Sequence, residues 1–159
     1  INGKAGLCPE IKKSENYEKL GFDMEALVVA TLRKNGLEKP RRKNSTPIFI
    51  QSSSKEGLQK LISKYELKWP LLYLTHADFN WTPGLFDEAK QFCAAVGPSK
   101  KHLNSSFVEQ AHQRGLKVVS FAARDGSLAN LKEELRRLLY DLGVDGMFTD
   151  NPDQFPRPR

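Results

Sequence analysis

"TPIFIQSSSKEGLQKLISKYELKWPLLYLTH", residues 46–76, decides the fold. Its opening, 46–52, is β-branched and aromatic and is entered through Pro47, which reads as a strand. Leu58, Leu61, Ile62 and Tyr65 then recur at helical spacing, and Ser53 with Glu56 stands in capping-box spacing, so a helix is expected over 54–66. Residues 70–76 are apolar again and read as a second strand. Strand, helix and strand in about thirty residues make a βαβ unit, with parallel strands and a right-handed crossover.

The same alternation extends both ways. "AGLCPEIK", 5–12, reads as a strand. The stretch 22–36 reads as a helix with Leu27, Ala30 and Thr31 on one side and Gly36 at its C-terminal cap. A helix over 84–95 carries Leu85, Phe86, Ala89, Phe92 and Cys93 inward, which makes Cys93 plain core. "VGPSKKHLN", 96–104, reads as a turn. A short helix over 105–114 follows, with Ser106 and Glu109 as its capping box and Gly115 at its end. Residues 116–123 read as a strand. Leucines 128, 131, 135, 138, 139 and 142 write the strongest helix. The last strand is 144–150, and 151–159 is a proline-rich tail. Five strands, each followed by a helix or a connection holding one, imply a parallel α/β sheet. From periodicity alone this is either an open doubly wound sheet or a stretch of an eight-stranded barrel.

The chain has 159 residues, a net charge of +6 and 39% apolar residues, enough for one domain with a real core. The positive excess sits partly in "EKPRRKN", 38–44, and partly in the tail. It reads as an anion-binding patch or, more plainly, as a solvated loop and a chain end; without aromatic partners it does not argue for nucleic acid. Two cysteines do not make a disulfide framework, and the three histidines, His76, His102 and His112, are scattered without zinc spacing. No apolar run reaches a membrane span. The chain opens on Ile1 rather than Met, as a processed or excerpted chain does, so the lack of a visible signal peptide says little about compartment.

In both folds ligands bind at the C-terminal ends of the strands. The tips to watch are Glu10 and Lys12, Gln51 to Ser53, Thr75 to Asp78, Phe121 to Asp125, and Thr149 to Asp153. No GxGxxG, P-loop or GxSxG is present. Glu10 and Lys12 are two apart and share one face of a strand, with Leu7 and Ile11 on the other. A carboxylate can take Mg²⁺ or Ca²⁺, but one carboxylate is not a metal site, and a lysine can balance a phosphate. A structural ion pair is the equal alternative. His76 reads as a turn residue before an acid or base, Phe121 as core, and Asp150 before Asn151-Pro152 as a turn start.

Taken together, "GLCPEIK", "TPIFIQS", "VGPSKKHLN", "AHQRGLKV" and "GVDGMFTDNPD" resemble, in order and spacing, the glycerophosphodiester phosphodiesterase family over about residues 5–155. The resemblance implies a (β/α)₈ TIM barrel of which this chain carries strands four to eight and lacks the first three, so that 1–159 is a single incomplete domain. It implies hydrolysis of glycerophosphodiesters to glycerol 3-phosphate and an alcohol, aided by a divalent cation, Mg²⁺ or Ca²⁺. Glu10 matches a metal-ligand glutamate and Lys12 a lysine beside the substrate phosphate. Gln51 lies on the matched "IQS" strand and is a substrate-side candidate. Phe121 stands where the family has an aromatic lining the glycerol pocket.

The family's His-Arg-Gly strand and its Glu-x-Asp pair are written nowhere in the 159 residues. These carry its acid–base histidines and most of its metal binding. Ser53 replaces a usual Phe, and Ala122 a common Thr. A missing general acid or base costs roughly 10²–10⁴-fold each. The expectation is a chain with no catalytic residues of its own that binds metal weakly and turns over nothing alone. The missing N-terminal part of the barrel, or another chain, is then its implied partner. The competing expectation is a non-catalytic, degenerate barrel that holds a phosphorylated ligand.

Overall fold

A computed structural model describes residues 5–37, 39, 46–123 and 128–156. Most of the basic run 38–44, the tip residues Arg124 and Asp125, and the tail residues 157–159 lie outside the described residues. The chain divides into two compact units, 1–74 with 92–94, and 75–91 with 95–159.

In the first unit β1 (Glu10–Ile11), β2 (Ile50–Ser52) and β3 (Leu71–Thr75) run parallel in that order. Glu10 is in register with Gln51, and Gln51 with Leu72. Pairing starts upstream, where Leu7 bridges Ile48 and the Pro9 carbonyl accepts from the Gln51 N–H at 3.0 Å. Three helices join these strands: α1 (Ser14–Glu18), α2 (Met24–Lys34) and α3 (Lys55–Ser63). Ile11, Val29, Leu32, Ile50, Leu58, Leu61 and Leu71 are all buried in this unit.

Helix boundaries differ from the expected ones by a residue or more, each for a local reason. The cap of α3 is Ser54, not Ser53, and its hydroxyl accepts from the Gly57 N–H at 3.1 Å. Asp23 caps α2, and Gly36 follows that helix at φ 65°, the left-handed turn that glycine adopts freely. The buried face of α2 is Glu25, Val29 and Leu32; Leu27, Ala30 and Thr31 are exposed. The side that Leu27, Ala30 and Thr31 share is therefore the solvent side, and a charged residue, Glu25, takes an inward position against Lys60 of α3.

The second unit contains α4 (Pro83–Ala89), β4 (Ala95–Pro98), α5 (Ser105–Gln113), β5 (Lys117–Ala123), α6 (Leu128–Arg136) and β6 (Gly146–Thr149). β4, β5 and β6 pair in parallel in that order. β4 is the sixth strand among the described residues and corrects the expected five: Ala95, read as the end of a helix, and Val96, read as a turn, pair with Lys117 and Val118. All four of its residues are buried, and the Ser120 hydroxyl closes on the Pro98 carbonyl at 3.1 Å. The cap of α5 is Asn104, which accepts from the Phe107 N–H, rather than Ser106. α6 ends in a π turn, Arg137–Asp141, and buries Leu131, Leu135 and Leu138; the side chain of Leu128 lies outside the described residues.

Within each unit consecutive strands are neighbours and the order advances in one direction. A doubly wound sheet reverses its order at a switch point, whereas the wall of a (β/α) barrel does not. The fold class is α/β, built of parallel (β/α) units as in part of a TIM barrel.

Candidate functional site

The candidate site in the first unit is set by the pairing of β1 with β2. Residues in register on neighbouring strands project from the same face, so Glu10 and Gln51 stand side by side. Ile11, between Glu10 and Lys12, turns the other way and is buried. The Lys12 ammonium lies 3.3 Å from Glu10 Oε2. The Glu10 side chain is 30% exposed and that of Lys12 72%, so the lysine stands mostly in solvent. Such a pair adds little to stability, about 0–1 kcal/mol. Gln51 is buried and its Nε2 donates to the Cys8 carbonyl at 3.2 Å, which fixes its amide beside the pair. Behind them the Ser52 hydroxyl donates to the Ile11 carbonyl at 2.8 Å and accepts from the Ser54 N–H. The end of β1 is thereby tied to the cap of α3.

Neither Cys8 nor Cys93 is in a disulfide; Cys93 is buried as expected, but beyond α4, which ends at Ala89 and not at the expected residue 95. Desolvation, and then the Glu10 charge, push the Cys8 thiol above its ordinary value, which disfavours a thiolate there.

A divalent cation of the Mg²⁺ or Ca²⁺ type takes six or more oxygen ligands. Glu10 offers one carboxylate, already shared with Lys12. Among the described residues no group of three or more His, Cys, Asp or Glu side chains stands together as a metal centre. The residues present do not by themselves fit the cation that the fold family implies.

The other candidate tips lie in the second unit. Phe121 is half-buried at the end of β5, where it bridges Ser99. His76 and Asp78 are exposed in the connection from β3 to α4. His102 meets the Ala77 carbonyl at 2.8 Å through Nε2. The turn after β6 is started by Thr149, whose hydroxyl accepts from the Asn151 N–H, and continues as a 3-10 turn at Pro152–Gln154.

Two arrangements were not read from the sequence. One is an aromatic group of Phe79, Trp81, Phe86 and Phe107, with Trp81 stacked on Phe86 at 4.6 Å and donating from Nε1 to the Thr75 hydroxyl at 3.0 Å. The aromatic residues of "DFNW" were its only signal. The other is the polar knot of Asp23, Glu25, Lys60 and Tyr65 between α2 and α3. Helical periodicity concealed it, because it looks for apolar stripes.

The sequence matches the glycerophosphoryl diester phosphodiesterase family over residues 4–154. It is 32% identical over 150 residues to a glycerophosphodiester phosphodiesterase of Bacillus subtilis (strain 168); the alignment covers 92% of this chain and 46% of that protein. A phosphodiesterase of Oleispira antarctica, solved in complex with the product sn-glycerol-3-phosphate, superposes with a TM-score of 0.69 at 18% identity, covering 94% of this chain and 53% of the other. A proposed glycerophosphodiester phosphodiesterase of Galdieria sulphuraria superposes with a TM-score of 0.71 at 18% identity, covering 94% and 55%. The chain thus spans about half the length of these relatives.

Proposed function

The chain belongs to the glycerophosphoryl diester phosphodiesterase family, and from that premise we propose that it serves the hydrolysis of glycerophosphodiesters to glycerol 3-phosphate and an alcohol. In that reaction water adds to phosphorus, the bond from phosphorus to the alcohol oxygen breaks, and the alcohol leaves with a proton. Lys12 sets a fixed positive charge against the phosphate oxygens. Gln51, held by the Cys8 carbonyl, walls the same face. Glu10 would be one carboxylate toward a divalent cation, whose chemistry would be to offset phosphate charge, and the described residues do not complete such a set.

The observation that carries this reading is the Glu10–Lys12 pair at the C-terminal end of β1, in a segment inside the family match. A (β/α) fold binds its ligands at that end of the strands. The absence of His-Arg-Gly and Glu-x-Asp from the 159 residues supports a division of labour in which this chain binds the phosphate and does not turn it over alone.

Calorimetric titration with glycerol 3-phosphate, with and without Mg²⁺ or Ca²⁺, tests binding. Release of glycerol 3-phosphate from glycerophosphocholine tests turnover. Saturable binding without turnover is expected. No heat with wild-type chain rejects the site, and turnover by the chain alone rejects the division of labour.

A further inference from the structure

Between the ends of α2 and α3 lies a cavity of about 180 Å³. α3 begins directly after β2 and ends before β3, so this cavity stands at the start of the strands and not at the tips that carry Glu10 and Lys12. Both helices close in the same way. Gly36, at φ 65°, reverses the chain after α2, and the Leu37 N–H returns to the Leu32 carbonyl at 2.7 Å. Glu66, at φ 50°, does so after α3, and the Leu67 N–H returns to the Leu61 carbonyl at 3.0 Å. Trp69 Nε1 donates to the Leu37 carbonyl at 2.6 Å and ties the two turns together.

The floor of the cavity is apolar. Val29 and Leu67 are buried there, and the Tyr65 hydroxyl already donates to Asp23, which leaves the ring. The exposed lining is charged: Arg33, Lys39 and Lys68 stand against one carboxylate, Glu66. Two acidic residues of α2 are engaged elsewhere, Asp23 by Lys60 and Lys64 and Glu25 by Lys60. Three cations against one anion leave the described lining with two positive charges in excess. The partial negative charge of the two helix ends opposes that excess. It is blunted because the last carbonyls are already hydrogen-bonded: Arg33 by the Gly36 N–H at 2.9 Å, and Ile62 by the Glu66 N–H at 3.1 Å.

We propose that this cavity binds a phosphate-class oxyanion, either inorganic phosphate or a small phosphate monoester, apart from the Glu10–Lys12 end of the unit. A tetrahedral phosphate presents oxygens on several sides, so an arginine fork and two lysines from three stretches of chain can each meet one. A carboxylate presents both oxygens on one edge and reaches fewer of them. The volume falls below the roughly 300–1,000 Å³ of a drug-sized site, and the apolar floor suits the few carbons of a small ester. The proposal goes beyond the phosphodiesterase reading and does not need it.

Titration of inorganic phosphate into isotope-labelled chain, followed on the amide resonances, tests it. Wild type is expected to give saturable shifts at Glu66, Leu67 and Lys68 that weaken with added chloride salt. Lys12→Ala, at the strand tips, gives the same shifts with the same affinity. Arg33→Ala with Lys68→Ala weakens this binding roughly tenfold or more while the rest of the spectrum stays that of the wild type. Glu66→Gln removes the one opposing carboxylate and tightens it. A wild type without shifts at residues 66–68 overturns the proposal. So does their loss in Lys12→Ala, which would assign the anion to the strand tips, and so does weaker binding in Glu66→Gln.

Discussion

The Lys12 ammonium lies 3.3 Å from the Glu10 carboxylate, across a single residue, Ile11, whose side chain is buried on the other face. A pair this exposed does little for stability but holds a cation at the end of a strand. In Lys12→Ala, affinity for glycerol 3-phosphate falls by roughly 1.5–3 kcal/mol, the range for a hydrogen bond to a charged group. The denaturation midpoint moves by no more than about 1 kcal/mol. Lys12→Arg retains most of the binding. Calorimetry and urea titration of the three proteins check both halves; a large stability loss in Lys12→Ala would make the pair structural.

Gly57 sets two forces against each other. Alanine is favoured over glycine in a helix by about 1 kcal/mol. A Cβ on Gly57 would stand 2.6 Å from Glu25 Oε1, an atom already buried without a hydrogen-bond partner. Glu25 is only 2% exposed, and its other oxygen is within 3.5 Å of Lys60, so it yields poorly. The clash outweighs the propensity, and Gly57→Ala loses about 1–3 kcal/mol. In a Glu25→Ala background the same change becomes neutral or stabilising. A double-mutant cycle on urea midpoints measures the coupling; stabilisation by Gly57→Ala in the wild type would show that Glu25 moves aside.

What the sequence made legible follows from period. Residues two apart on a strand share a face, and that alone placed Glu10 beside Lys12. The leucine repeat placed Leu131, Leu135 and Leu138 in the core. β4 escaped because Gly97 and Pro98 read as punctuation; proline is admissible at the last position of a strand, where its carbonyl still accepts, here from Ser120. Three consecutive serines, 52–54, each suit a cap, and only the chain's path chose Ser54. The buried face of α2 was not read from the sequence because Glu25 is charged, and a charge goes inward only when a partner such as Lys60 awaits it, which no single stretch of sequence announces. Roles for Glu10, Gln51 and Phe121 came from resemblance, since a lone carboxylate, amide or ring has no spacing of its own.

Asp23 combines two functions that two substitutions separate. Its Oδ1 accepts from the Ala26 N–H at 2.9 Å as the cap of α2, while Oδ2 meets Lys60 at 3.0 Å and Lys64 at 3.2 Å. Desolvation opposes its charge, but the hydrogen bonds from Tyr65, Ala26 and the lysines hold the carboxyl well below the usual range. Asparagine caps as well as aspartate but puts an amide N–H₂ where Oδ2 accepted from Tyr65, Lys60 and Lys64, so Asp23→Asn keeps the cap and loses both the salt-sensitive pairing and the Tyr65 hydrogen bond. Asp23→Ala loses about 1 kcal/mol more. Urea titrations at low and high salt distinguish them; a loss in Asp23→Asn that is equal at both salts would place the effect in the Tyr65 hydrogen bond and not in the ion pairs.

Asp145 governs acid stability in the second unit. Its Oδ2 accepts from the Val118 N–H at 2.8 Å and meets His112 Nε2 at 2.8 Å; Oδ1 accepts from Lys117 at 2.8 Å. Burial alone would raise this carboxyl, but Lys117, the Val118 N–H and His112 together hold it below the ordinary aspartate value. A carboxyl that is more acidic folded than unfolded stabilises the fold above its unfolded pKa, about 3.9. That contribution is lost as pH falls through the lowered folded value. Asp145→Asn removes the charge and leaves one acceptor oxygen for the Lys117 ammonium and the Val118 N–H, so it forfeits the contribution at every pH. Wild type and variant should therefore differ at pH 7 and converge as the pH drops below about 4, on urea midpoints taken across that range. A difference that stays constant down to the lowest pH would mean that the carboxylate charge at Asp145 is not what its three neighbours stabilise.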